Sequence, residues 1–288
     1  TKERRDMSDG FTVTFWGTRG SLACPGPHTT RYGGNTSCVE MSCGGHSLVF
    51  DAGTGLRGLG KKMMMAYGDQ EQHINMFLTH THLDHVVGLP FFGPLHKPGN
   101  KINIWAGHLV PNRTLTEALN TLMSPPLFPV PPAIFRADVS YNDFEAGETI
   151  TLAEEEGVVI KSAPLNHPNG ATGFRVEYGG KSVCYITDTE HVPGRPDQVV
   201  LNLIKDADMV IYDSSYTEEE YKTFMGFGHS TWEEGVKLCD MANVKQLYLF
   251  HHDPSHDDDR MDEILADAQK LRPNGVDAAR EGETVTLL

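Results

Sequence analysis

Apolar and polar residues alternate from Phe11 to Trp16, the period of a strand with one buried face. Ser37–Ser42 and Ser47–Asp51 read the same way, and Cys43-Gly44-Gly45-His46 between them fits a hairpin turn. Leu56–Tyr67 has helical spacing, with Met63, Met64 and Met65 as core filler. Ile74–Thr79 is an apolar strand that runs directly into a histidine cluster. Ile102–Trp105 is a further strand and Thr114–Leu122 a further helix. Ser124–Pro132 holds five of the 17 prolines and must be a loop. Phe135–Val139, Val158–Ala163, Gly173–Tyr178 and Ser182–Thr187 follow as strands. The last third alternates: helix Gln198–Lys205, strand Met209–Asp213, helices Thr217–Phe224 and Thr231–Ala242, strand Lys245–Phe250 and helix Asp258–Leu271. Asp257, Asp258 and Asp259 suit that last helix's start, where negative charge is stabilised.

Strands that dominate two thirds of a chain and alternate with helices in the last third suit stacked sheets covered by helices. The prolyl segment Pro126–Pro132 is the only candidate boundary, and it sits between strands that look like parts of one fold. A single domain over residues 11–288, behind a charged, flexible segment 1–10, is therefore expected. The longest nearly apolar stretch, Val86–Leu95, is half the ~20 residues a membrane-spanning helix needs. A formal net charge of −15 argues against binding large nucleic acids or anionic membranes, which calls for a basic face. It leaves room for a small anion held by metal ions. The five cysteines form no CxxC pair, and their odd number leaves one over in any disulfide scheme. Reduced thiols and a cytoplasmic location are the expectation.

The composition's odd feature is 14 histidines, and their placement carries the chemistry. Thr79-His80-Thr81-His82-Leu83-Asp84-His85 follows directly on the strand Ile74–Thr79. Residues two apart in an extended chain point to one side, so His80 and His82 can grip one metal. Asp84 and His85, where the chain turns, can reach a second. Four such groups in a core would each need a buried partner. More candidate ligands close other strands: His167 after Val158–Ala163, Asp188 after Tyr185-Ile186-Thr187, and His251 and His252 after Leu247–Phe250. Ligands at several strand ends build a site on a rigid scaffold. A carboxylate such as Asp188 has two oxygens with which to bridge two cations.

His80-x-His82-x-Asp84-His85, then His167, Asp188 and a C-terminal His, resembles the pattern of the metallo-β-lactamase fold, an α/β (α+β) four-layer αββα sandwich. Phe15-Trp16-Gly17-Thr18-Arg19-Gly20-Ser21 resembles the glycine-rich turn after the first strand in the ribonuclease Z-like branch. Phe50-Asp51-Ala52-Gly53-Thr54-Gly55 resembles the turn that supports the ligands, and His229-Ser230-Thr231 that branch's His-Ser-Thr motif. The resemblance runs from about Phe11 to Asp253. It implies two divalent metal ions: His80, His82 and His167 on the first, Asp84, His85 and the C-terminal His on the second, Asp188 between them. His251 matches the strand-then-His register, with His252 as the alternative. His229 matches the histidine to which that branch assigns proton donation. Imidazole-rich ligands favour zinc, and the two carboxylates leave manganese or iron open.

The departures narrow the substrate. The step from His167 to Asp188 is 21 residues, enough for one hairpin but not for the long clamping arm of transfer-RNA 3′-processing members. The Ser21–Arg31 loop has only Cys24, so a cysteine-rich structural zinc loop is absent. The remaining resemblance is to small-substrate phosphodiesterases, including those acting on cyclic phosphates or cyclic nucleotides. In that reading a hydroxide bridging the metals attacks phosphorus, His229 protonates the leaving oxygen, and Asp84 holds or accepts a proton. Arg19, Arg31 and His256 are candidate substrate contacts. Asp51 is expected to orient a ligating histidine. His191 is a candidate supporting residue, while His46, His73, His96 and His108 read as solvated. Two other readings remain: hydrolysis of a carboxylic substrate such as a lactone or thioester, and tRNA 3′-processing. Homodimers are common in the resembling branch, although no interface signal stands out.

Overall fold

In the computed structural model, which describes residues 10–152 and 157–288, the expected strands pair into two sheets. The first uses β1 (Phe11–Gly17), β2 (Cys38–Cys43), β3 (His46–Phe50), β4 (His73–Leu78), β5 (Lys101–Ala106) and β6 (Asp138–Asp143). The second uses β7 (Thr149–Leu152), β8 (Val158–Leu165), β9 (Ala171–Tyr178), β10 (Lys181–Ile186), β11 (Met209–Asp213), β12 (Gln246–Phe250) and β13 (Val276–Ala278). A last strand, β14 (Thr284–Thr286), returns to pair antiparallel with β1. Among the described residues the orders are β14-β1-β2-β3-β4-β5-β6 and β13-β12-β11-β10-β9-β8-β7.

The sheets bury their inner faces against each other. Phe174 of the second sheet meets Phe50 and Phe77 of the first at ring-centroid distances of 5.5 and 5.7 Å, and Phe15 lies 6.2 Å from Phe250. Helices cover both outer faces. On the first are α1 (Leu56–Tyr67), the short α2 (Leu83–Val86) and α3 (Leu115–Leu122). The second half carries α4 (Gln198–Ile204), α5 (Glu218–Phe224), α6 (Trp232–Met241) and α7 (Asp258–Leu271). This is the four-layer αββα sandwich of the metallo-β-lactamase fold, as expected.

Several details differ from expectation. The strand expected at Phe135–Val139 begins later, at Asp138, because Pro132–Ile134 form a turn of 3₁₀ helix and Asp138 is the residue that registers with Lys101. β7, β13 and β14 are four, three and three residues long, too short for a periodic signal. Of the expected flexible segment 1–10, all but Gly10 lies outside the described residues. No described helix is long and apolar enough to cross a membrane.

Candidate metal centre

β3, β4 and β5 are parallel to one another, and so are β10, β11 and β12. Their C-terminal ends carry Asp51, the His80–His85 cluster, His108, Asp188, Asp213 and His251, the end of a parallel sheet where ligands usually bind. Asp51, Asp188 and His251 have φ of 60°, 59° and 62°. For residues with a Cβ this left-handed conformation is costly and concentrates at functional sites. Here it turns the chain sharply off three strands.

The side chains converge on Asp188. Its Oδ1 lies 3.7 Å from Nε2 of both His80 and His167. Its Oδ2 lies 3.1 Å from His85 Nε2 and 3.3 Å from His251 Nε2. Asp84 Oδ2 faces the same two rings, at 3.2 and 3.4 Å, and accepts the Ser21 N–H at 2.8 Å. His82 Nδ1 is 3.1 Å from His167 Nε2. Four overlapping donor sets result: His80, His82 and His167; Asp84, His85, Asp188 and His251; and two that include His229, with His167 and Asp188 or with Asp213 and His251. Nε2 of His80, His85 and His251 is buried without a hydrogen-bond partner. A buried, unsatisfied ring nitrogen is costly unless something else takes its lone pair. Three aimed at one carboxylate fit divalent cations.

The other ring nitrogens are fixed from behind. His85 Nδ1 donates to Asp51 at 2.7 Å, and that carboxylate also accepts from Thr79 N–H and from Tyr185 O–H at 2.8 and 3.0 Å. His167 Nδ1 donates to the Gly228 carbonyl at 2.7 Å. Gly228 has φ +90°, and a Cβ there would enter the His167 ring. A Cβ on Gly20 would likewise collide with the His251 ring, so the glycine-rich turn after β1 lies directly against a candidate ligand. His251 Nδ1 meets Ser215 Oγ at 3.0 Å, and Ser215 donates to Asp213 at 2.8 Å.

Burial, with the neighbouring His85, pushes His80 well below its ordinary pKa, and burial also lowers His82 and His167, which suits neutral ligands. Burial works to raise Asp188, but His251, His85 and His80 outweigh it and hold the carboxyl well below the usual range. Burial opposes charge on His229 too. Asp213 reverses that by charge and a 3.0 Å hydrogen bond, helped by Asp188 and Asp84, and lifts His229 to about 9.

Sequence reasoning missed Asp213 and Ser215; the signal for Asp213 was a carboxylate closing a strand, as Asp188 nearly does. His108 corrects an expectation, since it is not solvated: its Nε2 lies 3.1 Å from Thr81 Oγ1, and burial lowers it to about 4. His252 turns from the cluster to the Ala279 carbonyl, 2.9 Å away, leaving His251 facing Asp188. Both candidate phosphate-binding arginines are engaged elsewhere, although Arg19 Nη2 is buried without a partner. Arg19 is fully buried and donates to the carbonyls of Gly33, Asp253 and His256, tying three loops together. Arg31 pairs with Asp259 and Asp262 on α7. His256 is buried with Nε2 2.9 Å from Glu220. His191 meets Ser230 Oγ at 2.8 Å and supports the His229 loop.

Residues 46–252 match the family described as the Beta-lactamase superfamily domain. The chain belongs to that superfamily. A curated relative, the ribonuclease Z of Archaeoglobus fulgidus, is 25% identical over 307 residues, covering 92% of this chain and 94% of the relative. Among solved structures, the metallo-β-lactamase fold protein YhfI from Bacillus subtilis has a TM-score of 0.73 at 18% identity, covering 97% of this chain and all (100%) of its own. A diphosphatase from the PhnP family has a TM-score of 0.67 at 19% identity, covering 96% and 97%. The two structures share the fold. The chain is a metallo-β-lactamase fold hydrolase.

Proposed function

We propose that the protein is a binuclear metal-dependent phosphodiesterase that hydrolyses a small phosphodiester, with a cyclic phosphate or cyclic nucleotide as the favoured class. The observation that carries this reading is the Asp188 carboxylate, which offers one oxygen to His80 and His167 and the other to His85 and His251. His80, His82 and His167 would hold one cation; Asp84, His85 and His251 the other; Asp188 both. When bound, such ions lower the pKa of water toward ~7 and offset charge on a phosphoryl group. Five imidazoles favour zinc, with manganese or iron compatible with the two carboxylates.

The chain's own groups supply proton handling. His229, held protonated by Asp213, is the donor for a leaving alkoxide. The Ser21 N–H donates to Asp84 and favours its ionised, accepting form. Between His167 and Asp188 the chain is spent on the β9–β10 hairpin, which supports a small substrate. The five free cysteines support a cytoplasmic location.

The relation to a ribonuclease Z along nearly its whole length favours a second reading, in which the diester belongs to RNA. The deciding experiment assays the purified protein, stripped and reloaded with zinc or manganese, on a bis-aryl phosphodiester, a cyclic mononucleotide and cyclic dinucleotide panel, a lactone, and a precursor tRNA. Metal-dependent turnover of the aryl diester and a cyclic phosphate is expected. Turnover of a lactone with no diester cleavage would overturn the proposal, and cleavage of precursor tRNA alone would select the second reading.

A further inference from the structure

A pocket of about 490 Å³, within the size range of small-molecule sites, is lined in part by chain neighbours of the metal-centre residues. Its wall includes Thr81, which stands between His80 and His82, and Leu83 and Val86, which flank Asp84 and His85 on α2. Leu122 of α3 and Phe128 of the prolyl loop form the facing side. The lining is overwhelmingly apolar, and Arg113 is its one charged residue. Leu83 is 67% exposed and Leu127, also in the lining, 84%. Phe91, exposed as well, meets Phe128 at 6.0 Å. Apolar side chains left in water together mark a binding surface.

We infer that this pocket is a substrate subsite that takes an uncharged apolar substituent, an aryl ring or branched alkyl group, of the phosphodiester cleaved at the adjacent centre. The inference rests on the phosphodiesterase reading above. Continuity argues for a substrate: the backbone that carries four candidate ligands also builds the pocket wall. The lining chemistry selects the occupant, because a single cation among aliphatic and aromatic side chains suits one anionic phosphate at the mouth and an apolar group inside. The whole lining comes from loops and helices of the first sheet's half, whereas His229 and Asp213 belong to the second. In an acyclic diester the leaving group therefore goes with His229 and the pocket holds the substituent that stays on phosphorus; in a cyclic diester, whose leaving oxygen remains tethered, it holds the apolar group that the ring carries.

The test compares phenyl p-nitrophenyl phosphate with methyl p-nitrophenyl phosphate on the metal-loaded full chain. Both release p-nitrophenol, so the ratio of their kcat/KM values reports only the retained substituent, and comparing that ratio between variants cancels intrinsic reactivity. Ala118→Trp fills the pocket from α3. Leu127→Ser removes apolar lining at an exposed position where folding is not at stake. Losing the burial of one ring should cut the phenyl-to-methyl ratio about 30-fold in Ala118→Trp. A smaller fall is expected in Leu127→Ser. A ratio unchanged in the folded Ala118→Trp protein, or in Leu127→Ser should the first not fold, overturns the proposal. If neither diester is turned over, the phosphodiesterase reading has failed, and the pocket is then judged alone from the emission of 1-naphthyl phosphate titrated into metal-free protein. Binding weakened by the substitutions supports the pocket; equal binding by wild type and variants overturns it.

Discussion

Replacing Asp51 by Asn tests how the candidate ligand histidines are aimed. The Asp51 carboxylate is fully buried, and every group around it is a donor. Oδ1 accepts the Thr79 N–H at 2.8 Å, Oδ2 accepts from His85 Nδ1 at 2.7 Å and Tyr185 O–H at 3.0 Å, and Thr79 Oγ1 reaches both oxygens. A carboxylate can accept all of these; an amide turns one acceptor into an NH₂. Placed at Oδ1, that NH₂ opposes a backbone N–H that cannot reverse. Placed at Oδ2, it drives the His85 proton from Nδ1 to Nε2, the atom facing Asp84 and Asp188. The first outcome leaves a buried donor unsatisfied, costing about 1–3 kcal/mol of stability. The second blocks a ligand lone pair. Loss of such supporting contacts typically weakens metal binding about 10–100-fold. Competition with a chromogenic chelator should show one zinc equivalent weakened by that factor in Asp51→Asn, while thermal unfolding reads the stability cost. Tyr185→Phe is the control, since it removes one donor without altering the His85 tautomer, and it should leave zinc affinity alone. Two unweakened zinc equivalents together with unchanged stability in Asp51→Asn would refute the reasoning.

Three further outcomes are expected. His229→Ala should lower diester turnover by about 10²–10⁴-fold with both metal equivalents retained, measured by steady-state kinetics beside metal analysis; concurrent metal loss would instead make His229 a ligand. Phe174→Ala, which empties the ring-lined centre between the sheets, should cost about 3–5 kcal/mol in denaturant unfolding, and a cost under about 1 kcal/mol would show that the sheets repack. For Asp258, burial works to raise the pKa, but the backbone N–H groups of Arg31, Tyr32 and Thr30 hold it below its usual value. Its contribution is therefore present above the unfolded aspartate value of ~3.9 and is lost as pH falls through the lower folded value. Urea midpoints between about pH 6 and about pH 3 should fall less steeply in Asp258→Asn than in wild type.

What the sequence revealed was local. His80, His82, Asp84 and His85 announce themselves because one strand end carries all four, and Asp188 and His251 because each follows a recognisable strand. Asp213 was legible only as the last residue of β11; its role comes from His229, 16 residues away along the chain and on another element. His108 looked like one more histidine in a turn until folding brought it onto Thr81. Arg19 was legible only as a cation in a loop near the expected centre; the bridges from its backbone to Thr36 and to His252 accompany a side chain that donates to loop carbonyls. Hydrophobic periodicity carries no information about which backbone oxygens a guanidinium will meet.

The return of β14 to β1 sets a condition on biosynthesis. Thr14 hydrogen-bonds to Thr284 across 270 residues, so β1 waits until that intervening chain is made before its outer flank is covered. Until then it offers Phe11, Val13 and Phe15 beside unpaired backbone amides, the template on which a second nascent copy can add itself. The threonines that alternate along β14 cap this flank with hydroxyls rather than with more hydrocarbon. Shortening the chain before Thr284 is therefore a route to insoluble protein even though it removes no residue of the metal centre.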